Sequence, residues 1–184
     1  MWRSSEYQPS SWSGLAVGSQ RRRCAASRSR GHSCDGSAGA FLSGIDKRFK
    51  AFVLMAGNLS FEVDESTTSL QFRQKVGPEQ FDAFAVKYAW MDGGKHVSHA
   101  SPATVLLQYA SDEPFLSEAI AKRYSDLVSE PKKLNIYKAP HALNADATRD
   151  RIAFLAAELS FKPPDAKAIV LLPALNQPSW LKSN

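Results

Sequence analysis

The chain is poor in the residues that mark a disulfide-stabilised, metal-binding or membrane-spanning protein. Its 184 residues include only two cysteines, Cys24 and Cys34, and four histidines. The cysteines form no disulfide framework, and neither residue type has the spacing of zinc ligands, so we expect no metal. No run of about 20 apolar residues is present, and we therefore expect no membrane span. Such sparse cysteine use predicts a reducing, cytoplasmic location.

Acidic residues are almost absent from the first 30 residues. This segment carries six arginines and one acid, Glu6, whereas residues 31–184 carry equal numbers of basic and acidic side chains. Residues 31–184 carry no net charge and therefore offer no broad positive electrostatic field to attract a phosphate backbone. We expect no nucleic-acid partner. Residues 1–30 also lack apolar periodicity, which predicts a disordered leader. A transit peptide, or a basic arm that binds nucleic acid or an anionic membrane, is the alternative.

After Gly31 the apolar pattern alternates between strand-like and helix-like segments. Nearly continuous apolar runs predict buried strands, and apolar residues spaced by three or four predict helices. Strands that alternate with helices predict an α/β fold, with a parallel sheet covered by helices on both faces. The predicted strands are 49–55, 103–109 and 133–137; the predicted helices are 36–45, a helical insert within 60–101, 115–128 and about 145–159; residues 162–184 form a tail.

Three side chains suited to nucleophilic catalysis lie next to these predicted elements. Ser33 precedes the first helix, Asp112 follows the second strand, and His141 follows the third strand. Ligand sites in open parallel sheets lie beyond the carboxyl ends of the strands, so we expect the three side chains to meet there. A histidine can remove the serine proton, and a carboxylate can orient the histidine and stabilise its charged form.

The residues around these three positions resemble the C-terminal half of an α/β-hydrolase, and most closely its dienelactone-hydrolase-like and acetyl-xylan-esterase-like members. The segment from Gly31 to Gly57 resembles the nucleophile turn, the following helix and the sixth strand. Val105 to Asp112 resembles the seventh strand and its acid loop, and Lys133 to Leu143 resembles the last core strand and the histidine loop. The resemblance covers roughly residues 31–161 and keeps the chain order Ser, Asp, His.

The resemblance implies a serine hydrolase that acts on an ester or related acyl bond of a small molecule and needs no cofactor. Ser33 would attack the acyl carbon, His141 would act first as base and then as acid, and Asp112 would orient His141. The backbone N–H of Cys34 would be one oxyanion donor. The insert at 60–101 would border the substrate pocket.

Two serines compete for the nucleophile position. Neither Ser33 nor Ser37 completes the Gly-x-Ser-x-Gly pattern, because Asp35 stands two residues after the first and two residues before the second. We prefer Ser33 because the distance from it to Ala51 leaves room for the turn, a helix and a short loop. Ser33 could instead be a simple helix cap, and Asp35 could crowd the turn.

The acid and the histidine also have alternatives. Asp112 could be a helix cap, and Glu113 is an adjacent alternative acid. His141 could be a loop histidine bonded to the backbone. His96 and His99 precede a strand rather than follow one, so they are weaker candidates for the base.

The strand that should lead into the nucleophile turn is missing from the sequence pattern. Residues 21–30 are too basic and polar for a buried strand. This predicts that the first half of the sheet is not encoded here, as in a truncated gene product or one whose start comes from an unrelated frame. An exposed sheet edge promotes aggregation, so we expect a homo-oligomer or a partner chain to cover it. The alternative to an enzyme is a non-catalytic or partner-dependent remnant of the fold.

Overall fold

The structure is a computed structural model that describes residues 27–60 and 67–170. The leader before residue 27, a short part of the insert at 61–66, and the tail beyond residue 170 lie outside the described residues. The predictions made for those parts are therefore not compared with it.

Strands and helices alternate along the described chain, as the sequence pattern predicts. The bounds are β1 (Ser27–His32), α1 (Cys34–Ile45), β2 (Phe49–Met55), α2 (Thr67–Val76), α3 (Pro78–Lys87), a 3-10 turn (Ala89–Met91), α4 (Gly93–Val97), β3 (Thr104–Ala110), α5 (Glu118–Leu127), β4 (Lys132–Tyr137), α6 (Ala145–Glu158) and α7 (Ala166–Val170). No helix of the described residues is long and apolar enough to cross a membrane.

The four strands form one parallel sheet in the order β1-β2-β3-β4. The two central strands are almost entirely buried because helices cover both of their faces. Phe52 and Leu54 of β2 belong to the core that includes side chains of α1, α4 and α5. Val53 and Met55 belong to a second core, on the face covered by α6. The predicted α/β fold class is thereby confirmed.

Strand β1 leads into the turn at Ser33, so the expectation that this strand is missing is wrong, although β1 lies at the sheet edge and not in its buried centre. β1 pairs with β2, with Arg30 opposite Val53 and His32 opposite Met55. β1 is an edge strand that is held by backbone hydrogen bonds, and the Arg30 side chain is exposed. A polar sequence is compatible with such a position, although it would be excluded from the sheet centre. Four residues assigned to the leader, 27–30, are therefore part of the sheet.

The helix boundaries follow the side chains that cap them. α5 begins at Glu118, later than predicted, because the Ser117 hydroxyl accepts a hydrogen bond from the N–H of Ile120 at 3.3 Å. α6 begins after Asn144, one of the two predicted caps, whose Oδ1 accepts the N–H of Ala147 at 3.0 Å. Capping residues thus set where α5 begins after the acid loop and where α6 begins after the histidine loop.

Candidate active site

The loops that leave the carboxyl ends of the strands carry unusual backbone geometry. Four non-glycine residues of the described chain have positive φ, and three of them lie in these loops: Ser33 (57°), Ala56 (47°) and Leu143 (64°). Residues other than glycine rarely adopt such backbone angles. Those that do are concentrated at functional sites, where the surrounding structure enforces the strained backbone. The strain marks this edge of the sheet as the candidate site.

Ser33 occupies a sharp turn between β1 and α1. Its backbone has φ 57° and ψ −122°, and its N–H donates to the carbonyl oxygen of Met55 at 2.8 Å. Gly31 makes the turn possible, because a Cβ there would lie 2.1 Å from the carbonyl oxygen of Asp35. The Ser33 hydroxyl makes no capping hydrogen bond to α1. Ser33 therefore ends up in a strand–turn–helix geometry with a hydroxyl that is not used as a cap.

Asp35 stands where the Gly-x-Ser-x-Gly pattern around Ser33 would have its second glycine, and its side chain is exposed to solvent. Asp35 lies in the first turn of α1 and is exposed, so its side chain does not crowd the turn. Ser37 lies inside α1, and its N–H donates to the carbonyl oxygen of Ser33 at 3.2 Å. Of the two competing serines, only Ser33 occupies the strained turn.

His141 is paired with a buried carboxylate. Its Nδ1 lies 2.5 Å from Oε2 of Glu113, and the two side chains are 7% and 0% exposed. The other carboxylate oxygen of Glu113 accepts the backbone N–H of Phe115 at 3.1 Å. A carboxylate acceptor holds the proton of a neutral imidazole on Nδ1, so Nε2 keeps its lone pair. The pair therefore has the arrangement needed for a general base.

The carboxylate that lies against His141 is that of Glu113, the adjacent alternative acid, and not that of Asp112. Asp112 is exposed and pairs with Lys138 at 2.5 Å, and this hydrogen bond lowers the pKa of its carboxyl. The loops that follow β3 and β4 remain hydrogen-bonded to each other: the N–H of Asp112 donates to the carbonyl oxygen of Ala139 at 3.1 Å. Ser111 and Asp112 form a turn after β3, and the side chain of Glu113, the next residue, lies in the interior against His141.

His32 connects the serine turn to the histidine loop. Its Nε2 donates to the carbonyl oxygen of His141 at 2.9 Å, and the two rings make an edge contact with centroids 4.7 Å apart. Burial lowers the pKa of His32, with the hydrogen bond to the His141 carbonyl acting in the opposite direction. The residue next to Ser33 thus touches His141 directly. In the described chain no hydrogen bond joins the Ser33 hydroxyl to the His141 ring.

Cys34 and the other two histidines have different surroundings. Cys34 is the first residue of α1, so its N–H has no acceptor within the helix and is available to an outside group. The Nε2 of His96 donates to the carbonyl oxygen of Trp90 at 2.6 Å, and its ring packs on Phe41. The backbone of His99 accepts from Lys47. Neither His96 nor His99 is therefore part of this site.

Two depressions adjoin the site. A cavity of about 250 Å³ is lined by Ser37 of α1 and by Asn58 and Met91, among others. A more open cleft of about 550 Å³ is lined by Glu113 and by Leu70 of α2, with residues of the loop before α5. Residues of the insert line both depressions.

No protein-family model and no curated protein matches this chain. Solved structures do match it at low identity. An acetyl xylan esterase from a Paenibacillus species is 17% identical with a TM-score of 0.56, over 70% of this chain and 44% of its own. An acetyl xylan esterase from a Thermoanaerobacterium species is 11% identical with a TM-score of 0.60, over 73% and 46%. An acylaminoacyl peptidase from Pyrococcus horikoshii is 13% identical with a TM-score of 0.60, over 80% and 27%.

These matches, with the parallel sheet, show a partial α/β-hydrolase fold. The matched part is less than half the length of each of these three proteins. At such identities the likeness concerns the fold, and the chemistry must be argued from the site itself.

Proposed function

We propose that this chain is a serine hydrolase that acts on an ester or a related acyl bond of a small molecule. The observation that carries the proposal is the buried pair between Nδ1 of His141 and Oε2 of Glu113. The ring of His32, the residue before Ser33, contacts the ring of His141 and so links this pair to the serine turn. The solved structures described above are esterases and a peptidase, which supports the same reaction class.

The proposed chemistry assigns one role to each group. Nε2 of His141 takes the proton of the Ser33 hydroxyl as its oxygen attacks the acyl carbon. His141 then gives that proton to the leaving alcohol, and Glu113 stabilises the charged ring between the two steps. The N–H of Cys34, at the start of α1, donates to the oxyanion that forms on the acyl oxygen. The acyl group is then bonded to the Ser33 oxygen; water attacks this ester, His141 takes the proton of the water and gives it to the Ser33 oxygen, and the acid is released.

The test is hydrolysis of p-nitrophenyl acetate by the full chain beside two matched variants. Ser33→Ala removes the proposed nucleophile, and we expect its rate to fall to that of the buffer. Ser37→Ala removes the competing serine one helical turn away and should retain the parent rate. Equal rates in the parent and Ser33→Ala, with both proteins folded by circular dichroism, would overturn the assignment of Ser33.

The alternative is a remnant of the fold that is non-catalytic or depends on a partner chain. The observation that favours it is the lack of a hydrogen bond between Ser33 and His141 in the described chain. A fluorophosphonate probe separates the two functions, because it labels only an activated serine. Stoichiometric labelling of Ser33 supports the hydrolase. A folded chain that stays unlabelled supports the remnant.

A further inference from the structure

A buried arginine lies between helix α6 and the strands β2 and β3. Arg151 is only 6% exposed. Its guanidinium contacts three uncharged acceptors: Sδ of Met55, Oε1 of Gln108 at 3.5 Å, and Oγ1 of Thr148. A thioether is a weak acceptor, and 3.5 Å is long for a hydrogen bond. The cation is therefore enclosed but poorly compensated.

No carboxylate of the described residues forms an ion pair with Arg151. The acids of its own helix are engaged elsewhere: Asp150 accepts from the hydroxyl of Tyr137, Glu158 from Thr104, and Asp146 pairs with Arg149. A buried charge without a counter-ion is strongly unfavourable. Burial lowers the pKa of Arg151, and the nearby Arg30 lowers it further.

A second arginine lies on the same face, at the open edge. His32, Met55 and Gln108 are neighbours across β1, β2 and β3, and the guanidinium of Arg151 contacts the latter two. Arg30 pairs with Val53, whose side chain shares the α6 face with that of Met55. Side chains two residues apart on a strand share a face, so Arg30 lies beside His32 on the face of Arg151.

Arg30 and Arg151 thus lie on the same face near the β1 edge, close enough for Arg30 to lower the pKa of Arg151. Arg30 is exposed and forms no ion pair with the described residues. Guanidinium groups bind carboxylates and other oxyanions through paired N–H donors.

We propose that Arg151 and Arg30 form a binding site for a single carboxylate or similar oxyanion at the β1 edge of the α6 face. The anion supplies the counter-charge that no described carboxylate gives Arg151. Its source is either a free small anion or the carboxylate of a glutamate on a polypeptide that lies along β1. The proposal does not depend on the proposed hydrolase function.

The test measures the thermal unfolding midpoint of the full chain in sodium chloride, sodium acetate and sodium sulfate at equal ionic strength. A ligand that binds only the folded state raises the midpoint with its concentration. We expect acetate and sulfate to raise the midpoint relative to chloride. Arg151→Met, which removes the buried charge, should raise the midpoint in chloride and abolish the response to the anions.

Two further variants keep the result interpretable. Arg30→Met changes only an exposed edge residue, so this variant should fold normally. It should nevertheless show a smaller rise of the unfolding midpoint with acetate and sulfate. Arg149→Met, on the exposed side of α6, is the matched control and should respond like the parent. A response that is unchanged in both Arg151→Met and Arg30→Met would overturn the proposal.

A separate arm distinguishes the two sources of the carboxylate. A capped strand-forming hexapeptide with a central glutamate is compared with its glutamine analogue. Stabilisation by acetate and sulfate alone identifies a free anion. Stabilisation only by the glutamate peptide identifies a polypeptide carboxylate. If neither anions nor peptide raise the midpoint, and Arg151→Met lowers it in chloride, Arg151 is a structural side chain and the proposal is wrong.

Discussion

Two adjacent carboxylates in the loop after β3 have opposite environments. Asp112 is exposed and pairs with the exposed Lys138, whereas Glu113 is fully buried and pairs with His141. Surface ion pairs are weak because water screens them. A buried carboxylate bonded to a histidine ring can set the tautomer of that ring and is costly to remove. The two residues are adjacent in the sequence, but only Glu113 lies against His141.

The largest difference between the two acids is expected in catalysis, if the proposed function is correct. Glu113→Gln keeps the size of the side chain but removes the charge that stabilises the protonated His141 ring. We expect kcat to fall by about 10⁴-fold, as for the loss of the orienting acid in serine hydrolases. Asp112→Asn is the matched control and should keep kcat within about twofold. The reverse result, a large loss in Asp112→Asn alone, would restore the acid predicted from sequence.

A smaller difference is expected in folding stability, and it needs no catalytic activity. Glu113→Ala removes the carboxylate that accepts from Nδ1 of the buried His141 and from the N–H of the half-buried Phe115. The free energy of unfolding should fall by about 3 kcal/mol. Asp112→Ala should leave the urea unfolding midpoint within measurement error. Equal losses in both variants would show that Glu113 is not buried against His141.

The smallest expected effect is on the pH dependence of stability. His32 has a lowered pKa when folded, so between that pKa and 6.5 the unfolded chain binds more protons than the native chain. Its contribution is present above pH 6.5 and is lost as the pH falls below it. Asp112 also has a lowered pKa, and its contribution is lost only below its ordinary value of 3.8.

Urea unfolding between pH 7.5 and 5.5 checks that His32, and not Asp112, causes the loss of stability in this pH range. We expect His32→Gln to flatten the decline of stability in that range, and Asp112→Asn to leave it unchanged. A slope that survives in His32→Gln would assign the decline to another group.

Most of the element order could be predicted from apolar periodicity, because β2, β3 and the capped helix α6 carry strong local patterns. β1 could not, since an edge strand takes its stability from backbone pairing with β2 rather than from its own polar side chains. The local signal for Ser33 and His141 was their position beside predicted strands and helices. That Glu113 rather than Asp112 meets His141 depends on the packing of two loops 28 residues apart in the chain, which no local pattern records.

By itself, the amino-acid sequence determined the α/β order, the parallel sheet and which loops would carry a serine, an acid and a histidine. These depend on the spacing of apolar side chains and on caps such as Asn144, which are local properties. Only the tertiary structure decided that β1 joins the sheet, that Glu113 meets His141, and that Arg151 is buried with no ion pair to a carboxylate of the described residues. Each of these depends on contacts between residues distant in the chain or on which side of a backbone faces the core.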